Sequence, residues 1–204
     1  MSQAIRKVSQ LQLNKTSFFL CDIQEKFQNL IFGYNNVVRI ANKMVKASQV
    51  LDIPLIVTEQ YPKGLGHTSG KLDISKAKHV SEKTLFSMVT PQVEEQIKDV
   101  KSVILFGIEA HVCVTQTALD LLERNIDVFI LADGVSSTNK FEVPIALQRL
   151  SSAGATITTS DSILFQLVKD ANHPNFKEIS NLVKEHLAKT EEDNLLLKNL
   201  SSSL

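Results

Sequence analysis

Residues 102–124 read SVILFGIEAHVCVTQTALDLLER, and within this stretch the hydrophobic period changes from that of a strand to that of a helix. Residues 103–106, VILF, form an unbroken apolar run, the pattern of a strand buried on both faces. Val114, Ala118, Leu121 and Leu122 then recur at i, i+4, i+7 and i+8, one apolar face of a helix. Gly107 is expected to break the strand, and Cys113 falls where the helix begins. Unpaired backbone N–H groups and the positive end of the helix dipole would favour a thiolate there, which makes Cys113 a candidate nucleophile. An isolated cysteine near a strand end is more often a small core residue, and this segment alone favours that inert reading.

The same alternation extends outward in both directions. Residues 17–21, SFFLC, read as a first buried strand ending at Asp22. Strand alternation sends Cys21 and Asp22 to opposite sides, with Cys21 in the core. Val37, Ile40, Ala41, Met44, Val45, Ser48 and Leu51 mark a long amphipathic helix, and residues 53–58, IPLIVT, the next strand. Residues 59–70, EQYPKGLGHTSG, are too irregular for a nucleotide-binding fingerprint and read as a lid or binding loop. A weak strand near residues 78–80 precedes SEKTLFSM and a helix opened by Thr90 and Pro91. Beyond residue 124 come a strand at 127–132 ending in Asp133, a helix at 141–152 and a short strand at 155–159. Further helices near 162–169 and 175–187 pack outside. Strands alternating with helices imply a three-layer α/β/α architecture around a parallel sheet.

Length and charge bound the partners. A chain of 204 residues can bury a full-sized core, and the expected organisation is a single domain over residues 1–204. Residues 1–14 would be an arm, and residues 189–204 a tail that is either frayed or a subunit contact. Lys plus Arg and Asp plus Glu each total 22, so no net field draws in nucleic acid or an anionic membrane. No membrane span or secretory h-region is visible, and two cysteines make no disulfide framework. The expectation is a cytoplasmic protein. The alternative is mitochondrial import, suggested by Arg6, Lys7 and Lys15 in a start without acids.

In an open parallel sheet, ligands bind beyond the C-terminal ends of the strands, where strand order reverses. Asp22, Lys83 and Cys113 each fall at such an end. Taken singly they could be a helix cap, a solvated charge and a core filler; their shared edge makes them informative. The segments CDIQEKF, EKTLFSM and GIEAHVCVTQTALDLLER together resemble the three signatures of the isochorismatase-like hydrolases, in matching order and spacing. TEQYPKGLG and the FSM element further resemble the eukaryotic isochorismatase domain-containing proteins.

The resemblance implies a Rossmann-like six-stranded sheet of order 3-2-1-4-5-6 and a catalytic triad of Asp22, Lys83 and Cys113. It also implies a cis peptide between Ile108 and Glu109, aiming the Glu109 and Cys113 N–H groups into an oxyanion hole. Substrate contacts are expected at Gln24, Phe27, Tyr61 and His111. The implied chemistry is acyl transfer to Cys113 from a small amide, ester or related carbonyl, with no cofactor, in a homo-oligomer that is a dimer or tetramer. Relatives that bind metal carry Asp-x-His after strand two, where this chain has Glu59, Gln60 and Tyr61; His67 and His79 read as loop residues and no metal is expected. The competing function is a non-catalytic interaction protein on the same fold. A redox-sensor role for Cys113 lacks a resolving partner as long as Cys21 points into the core.

Overall fold

The computed structural model describes residues 11–187 and 194–201. Six strands form one parallel sheet: β1 (Thr16–Cys21), β2 (Leu55–Gln60), β3 (His79–Lys83), β4 (Ser102–Ile108), β5 (Asp127–Ser136) and β6 (Thr156–Thr158). Their order is β3-β2-β1-β4-β5-β6, as the resemblance implied. The order reverses between β1 and β4, so the crevice of the sheet opens beyond their C-terminal ends.

Helices cover both faces. On one face lie α1 (Tyr34–Val50), α6 (Ser160–Val168) and α7 (Phe176–Glu185). On the other lie α3 (Pro91–Gln96), α4 (Thr115–Glu123) and α5 (Glu142–Ala153), while α2 (Pro62–Leu65) is one short turn in the loop after β2. Strand β1 is buried along its whole length. Phe18 and Leu20 join the first apolar layer, Phe19 and Cys21 the second, as period-two alternation requires. Each buried phenylalanine contributes about 1.5–3 kcal/mol relative to exposure, so β1 ties both layers to the sheet. The Thr90 hydroxyl accepts from the Val93 N–H at the start of α3, and Pro91 takes the first turn.

Residues 1–10 of the expected arm, and 189–193 and 202–204 of the expected tail, lie outside the described residues. Leu11 is buried in the core, and the described part of the tail is α8 (Leu195–Ser201). Leu196 packs into one apolar layer and Leu197 and Leu200 against the other, because LLLKNL places leucines around one side of the helix. Among the described residues no helix is long and apolar enough to cross a membrane.

Candidate active site

Strand β1 ends at Cys21, and Asp22 follows in a left-handed conformation at φ 53°. That turn ends the alternation, so the expectation that Asp22 would point away from Cys21 does not hold. Instead the Asp22 carboxylate lies on the side of its neighbour, and the Cys21 thiol donates to Oδ2 at 3.6 Å. The Thr58 hydroxyl donates to Oδ1 at 2.8 Å, and Lys83 Nζ to Oδ2 at 2.7 Å. The carboxylate is 1% exposed and needs these partners, since a buried ion without them is strongly unfavourable.

Lys83 is the last residue of β3, in register with Gln60 on β2, and is 5% exposed. It is not the solvated charge that its sequence context also allowed. Besides Asp22, its ammonium donates to Gln60 Oε1 at 2.6 Å and to the carbonyls of Leu85 and Phe86 at 3.1 and 3.0 Å. The FSM loop is thus wrapped around the lysine head. Burial would pull the Lys83 pKa down, but the charges of Cys21, Asp22 and Cys113 outweigh it and hold the group above its ordinary value. The ammonium therefore stays charged in a buried setting.

Cys113 does not open the helix. It lies in a π turn (Ala110–Val114) that leads into α4, a distortion that often occurs at functional sites. Its carbonyl accepts from the Thr117 hydroxyl, whose oxygen also accepts from the Met88 N–H, so the turn is tied to the FSM segment. Gly107 does not break β4 either: it continues the strand at φ +140°, opposite Cys21. A Cβ there would stand 2.2 Å from the Cys21 carbonyl oxygen, so only glycine lets the ends of β1 and β4 approach this closely. Cys21 and Cys113 lie in the same apolar layer. Burial first, then a hydrogen bond with Cys113 and the charge of Asp22, push the Cys21 thiol well above its ordinary pKa.

The expected cis peptide before Glu109 is corrected: every peptide bond among the described residues is trans. The chain reverses instead through Glu109 at φ 55° and ψ 62°, held by Val112 and Val114 N–H groups donating to its carbonyl. The Glu109 carboxylate is anchored by the Thr138 N–H and hydroxyl. These contacts sustain a left-handed non-glycine residue, which costs on the order of 1 kcal/mol.

The expected substrate contacts separate into different groups. Gln24 is fully buried and spends its amide on the chain itself, donating to the Gln60 and Gly66 carbonyls and accepting from the Gln60 N–H. It is a brace for residues 60–66. Phe27 is partly buried against the α1 layer. Tyr61 is 54% exposed and lines, with Pro62, Lys63, Glu82, Lys83 and Thr84, a cleft of about 330 Å³. His111 Nδ1 lies 3.0 Å from the Ser137 hydroxyl and 3.4 Å from the Glu109 carboxylate, on the β5 side. At the position of the Asp-x-His motif, Glu59 instead accepts from the Thr68 N–H and hydroxyl and pairs with His67. Sequence reading missed Thr58, Gln60 and Cys21 as members of the cluster. The one visible signal for Thr58 was a hydroxyl closing an otherwise apolar strand.

Residues 16–162 match the family description "Isochorismatase domain". The chain is 47% identical over 170 residues to isochorismatase domain-containing protein 1 of Danio rerio, covering 82% of this chain and 60% of the fish protein. It therefore spans less than two thirds of that relative's length. Isochorismatase family protein 1A of Dictyostelium discoideum is 47% identical over 189 residues, covering 89% of this chain and 92% of the relative. A solved structure named MAR1 ribonuclease from Caenorhabditis elegans superposes with TM-score 0.84 at 42% identity, covering 86% of this chain and 93% of that one. The likeness carried by the three sequence signatures thus reaches almost end to end in the Dictyostelium protein, and this chain belongs to the isochorismatase family.

Proposed function

We propose that the protein is a hydrolase of a small amide, ester or related carbonyl compound, with Cys113 as the nucleophile, Asp22 as the general base and acid, and Lys83 as electrostatic support. The observation that carries this reading is the convergence of Asp22, Lys83 and both thiols in one buried, electrostatically linked cluster. A buried lysine and aspartate next to a thiol in a strained turn are costly to keep as packing alone.

In this reading Asp22 takes the Cys113 proton, and the sulfur attacks the carbonyl carbon. The backbone N–H groups of Glu109 and Cys113 receive the developing oxyanion. Asp22 returns its proton to the departing amine or alcohol, leaving an acyl-enzyme that water hydrolyses with Asp22 again as base. Lys83, held in place by Gln60, Leu85 and Phe86, offsets the repulsion between the Asp22 carboxylate and the new thiolate. The substrate enters past Tyr61, and the working form is a homo-oligomer.

A panel of small amides and esters, run with wild type and Cys113→Ala, tests the reading. Turnover by wild type alone, with an acyl adduct on Cys113 by intact mass, is expected; equal turnover by the variant refutes the covalent mechanism. The ribonuclease name of the C. elegans structure supports a second reading, phosphodiester hydrolysis, and an RNA oligonucleotide belongs in the same panel. RNA cleavage without carbonyl turnover would replace the first reading by the second. A wholly blank panel, with Cys113 unacylated, would favour a non-catalytic interaction protein.

A further inference from the structure

The proposed hydrolysis uses one of the two sulfurs in the cluster. The other, Cys21, is a buried nucleophile with no part in that chemistry, yet the fold gives it a particular place. It closes β1 in register with Gly107, and the missing side chain of Gly107 lets the end of β1 sit against the β4 turn that carries Cys113. The two cysteines pack in the same apolar layer, and the neighbouring Cys113 helps hold the Cys21 thiol above its ordinary pKa. Cys21 also donates to Asp22 Oδ2. Their access differs: Cys21 is 0% exposed, whereas Cys113 is 5% exposed. A small oxidant arriving from solvent therefore meets Cys113 first. A thiol with a second thiol poised behind it is the arrangement by which sulfenic acids are resolved before further oxidation.

We propose that Cys113 and Cys21 are a peroxide modification site, closing a reversible disulfide within one chain. The Cys113 sulfur attacks one oxygen of hydrogen peroxide; the O–O bond breaks, Cys113 keeps that oxygen as a sulfenic acid, and the other oxygen leaves as water. The Cys21 sulfur, passing its proton to Asp22, then attacks the Cys113 sulfur. The S–O bond breaks, and the departing hydroxide takes the proton from Asp22 as a second water. Two thiols have lost two protons and two electrons, and one peroxide has become two waters. Lys83, electrostatically coupled to both sulfurs, stabilises the anions that form on either side of the exchange. The disulfide removes the nucleophile until a thiol reductant restores it. That consequence for turnover rests on the hydrolase reading; the disulfide itself rests on the placement of the sulfurs alone.

Intact mass under denaturing, non-reducing conditions tests it with the full chain and hydrogen peroxide. Wild type is expected to lose two hydrogens at monomer mass, to give a linked peptide pair containing Cys21 and Cys113, and to recover fully with dithiothreitol. Cys21→Ala, with Cys21→Ser as the second variant should alanine impair folding, is expected to accumulate oxygen adducts on Cys113 that dithiothreitol does not reverse once two oxygens are added. Wild type gaining the same oxygen adducts, or linking two chains instead of one, overturns the proposal. The wild-type arm is decisive even if both variants misfold. Because the readout is mass, a missing disulfide in an active enzyme and a disulfide in an inactive protein are distinct results.

Discussion

Among the described residues two lysines are buried, each against an aspartate, and they stand in different surroundings. Lys43 on α1 is 2% exposed and pairs at 2.5 Å with Asp161 at the start of α6, whose side chain is 43% exposed. Nearby, Asp133 accepts from the Ser160 N–H at 2.9 Å and from its hydroxyl; burial, before any opposing hydrogen bond, holds its carboxyl above the ordinary range. Lys83 pairs with Asp22 with both side chains almost wholly buried, and Cys21 and Cys113 flank them. The first arrangement joins the outer helices to the end of the sheet, with one partner open to water. The second has neither partner in water but a nucleophile beside it. A buried lysine marks chemistry only when a reacting group shares its burial.

The sharpest way to break the contrast is to remove that reacting group. Cys113→Ala removes from the Lys83–Asp22 pair the thiol proposed to attack the substrate and leaves only the fully buried Cys21 beside it. Carbonyl turnover should fall by at least about 1,000-fold in steady-state assays, with the thermal midpoint little changed. Lys83→Met keeps the stem but strands a buried carboxylate. Unfolding in urea should show a loss of about 3–5 kcal/mol, and iodoacetamide should label Cys113 more slowly at neutral pH. An unchanged labelling rate would remove Lys83 from the proposed site.

Lys43→Met sharpens the comparison from the other side. Asp161 can turn to water, so the loss should be about 1–3 kcal/mol in the same denaturation assay, with kcat and KM for any confirmed substrate unchanged. The smallest effect belongs to the pair of the buried Glu59 and the exposed His67. Hydrogen bonding and the charge of Glu59 raise the His67 pKa above its ordinary 6.5. Burial opposes ionisation of Glu59, but hydrogen bonds from Thr68 and His67 outweigh it and lower its pKa below the ordinary 4.5. The raised histidine stabilises the fold fully below pH 6.5 and loses that contribution as pH rises through its folded value; the lowered glutamate contributes above pH 4.5 and loses it as pH falls through its folded value. The loop should thus be pinned best between pH 4.5 and 6.5. His67→Ala should flatten the upper flank of the thermal midpoint against pH, and an unaltered profile would show that the pair contributes nothing.

Much of this molecule is readable along the chain. Apolar runs such as FFL in β1 and VILF in β4, separated by helical periods, determine a parallel sheet with two covered faces, because each strand must bury both of its sides. The three signatures likewise pointed to Asp22, Lys83 and Cys113, since chemistry at strand ends follows from the topology. What only the tertiary structure decided lies in the turns and in contacts between distant segments. Left-handed φ at Asp22 cancels the alternation that placed Cys21 away from Asp22, and the chain passes Glu109 with left-handed φ and a trans peptide. Gln24 is a substrate contact by resemblance, and only the fold shows that its amide braces the backbone at Gln60 and Gly66. Lys83 reads as a surface charge until the Leu85 and Phe86 carbonyls fold over it. The physical reason is common to these cases. Hydrophobic period is a local property of the chain, whereas the partner of a polar group is chosen by whatever the fold brings within about 3 Å of it, and that depends on residues far away in sequence.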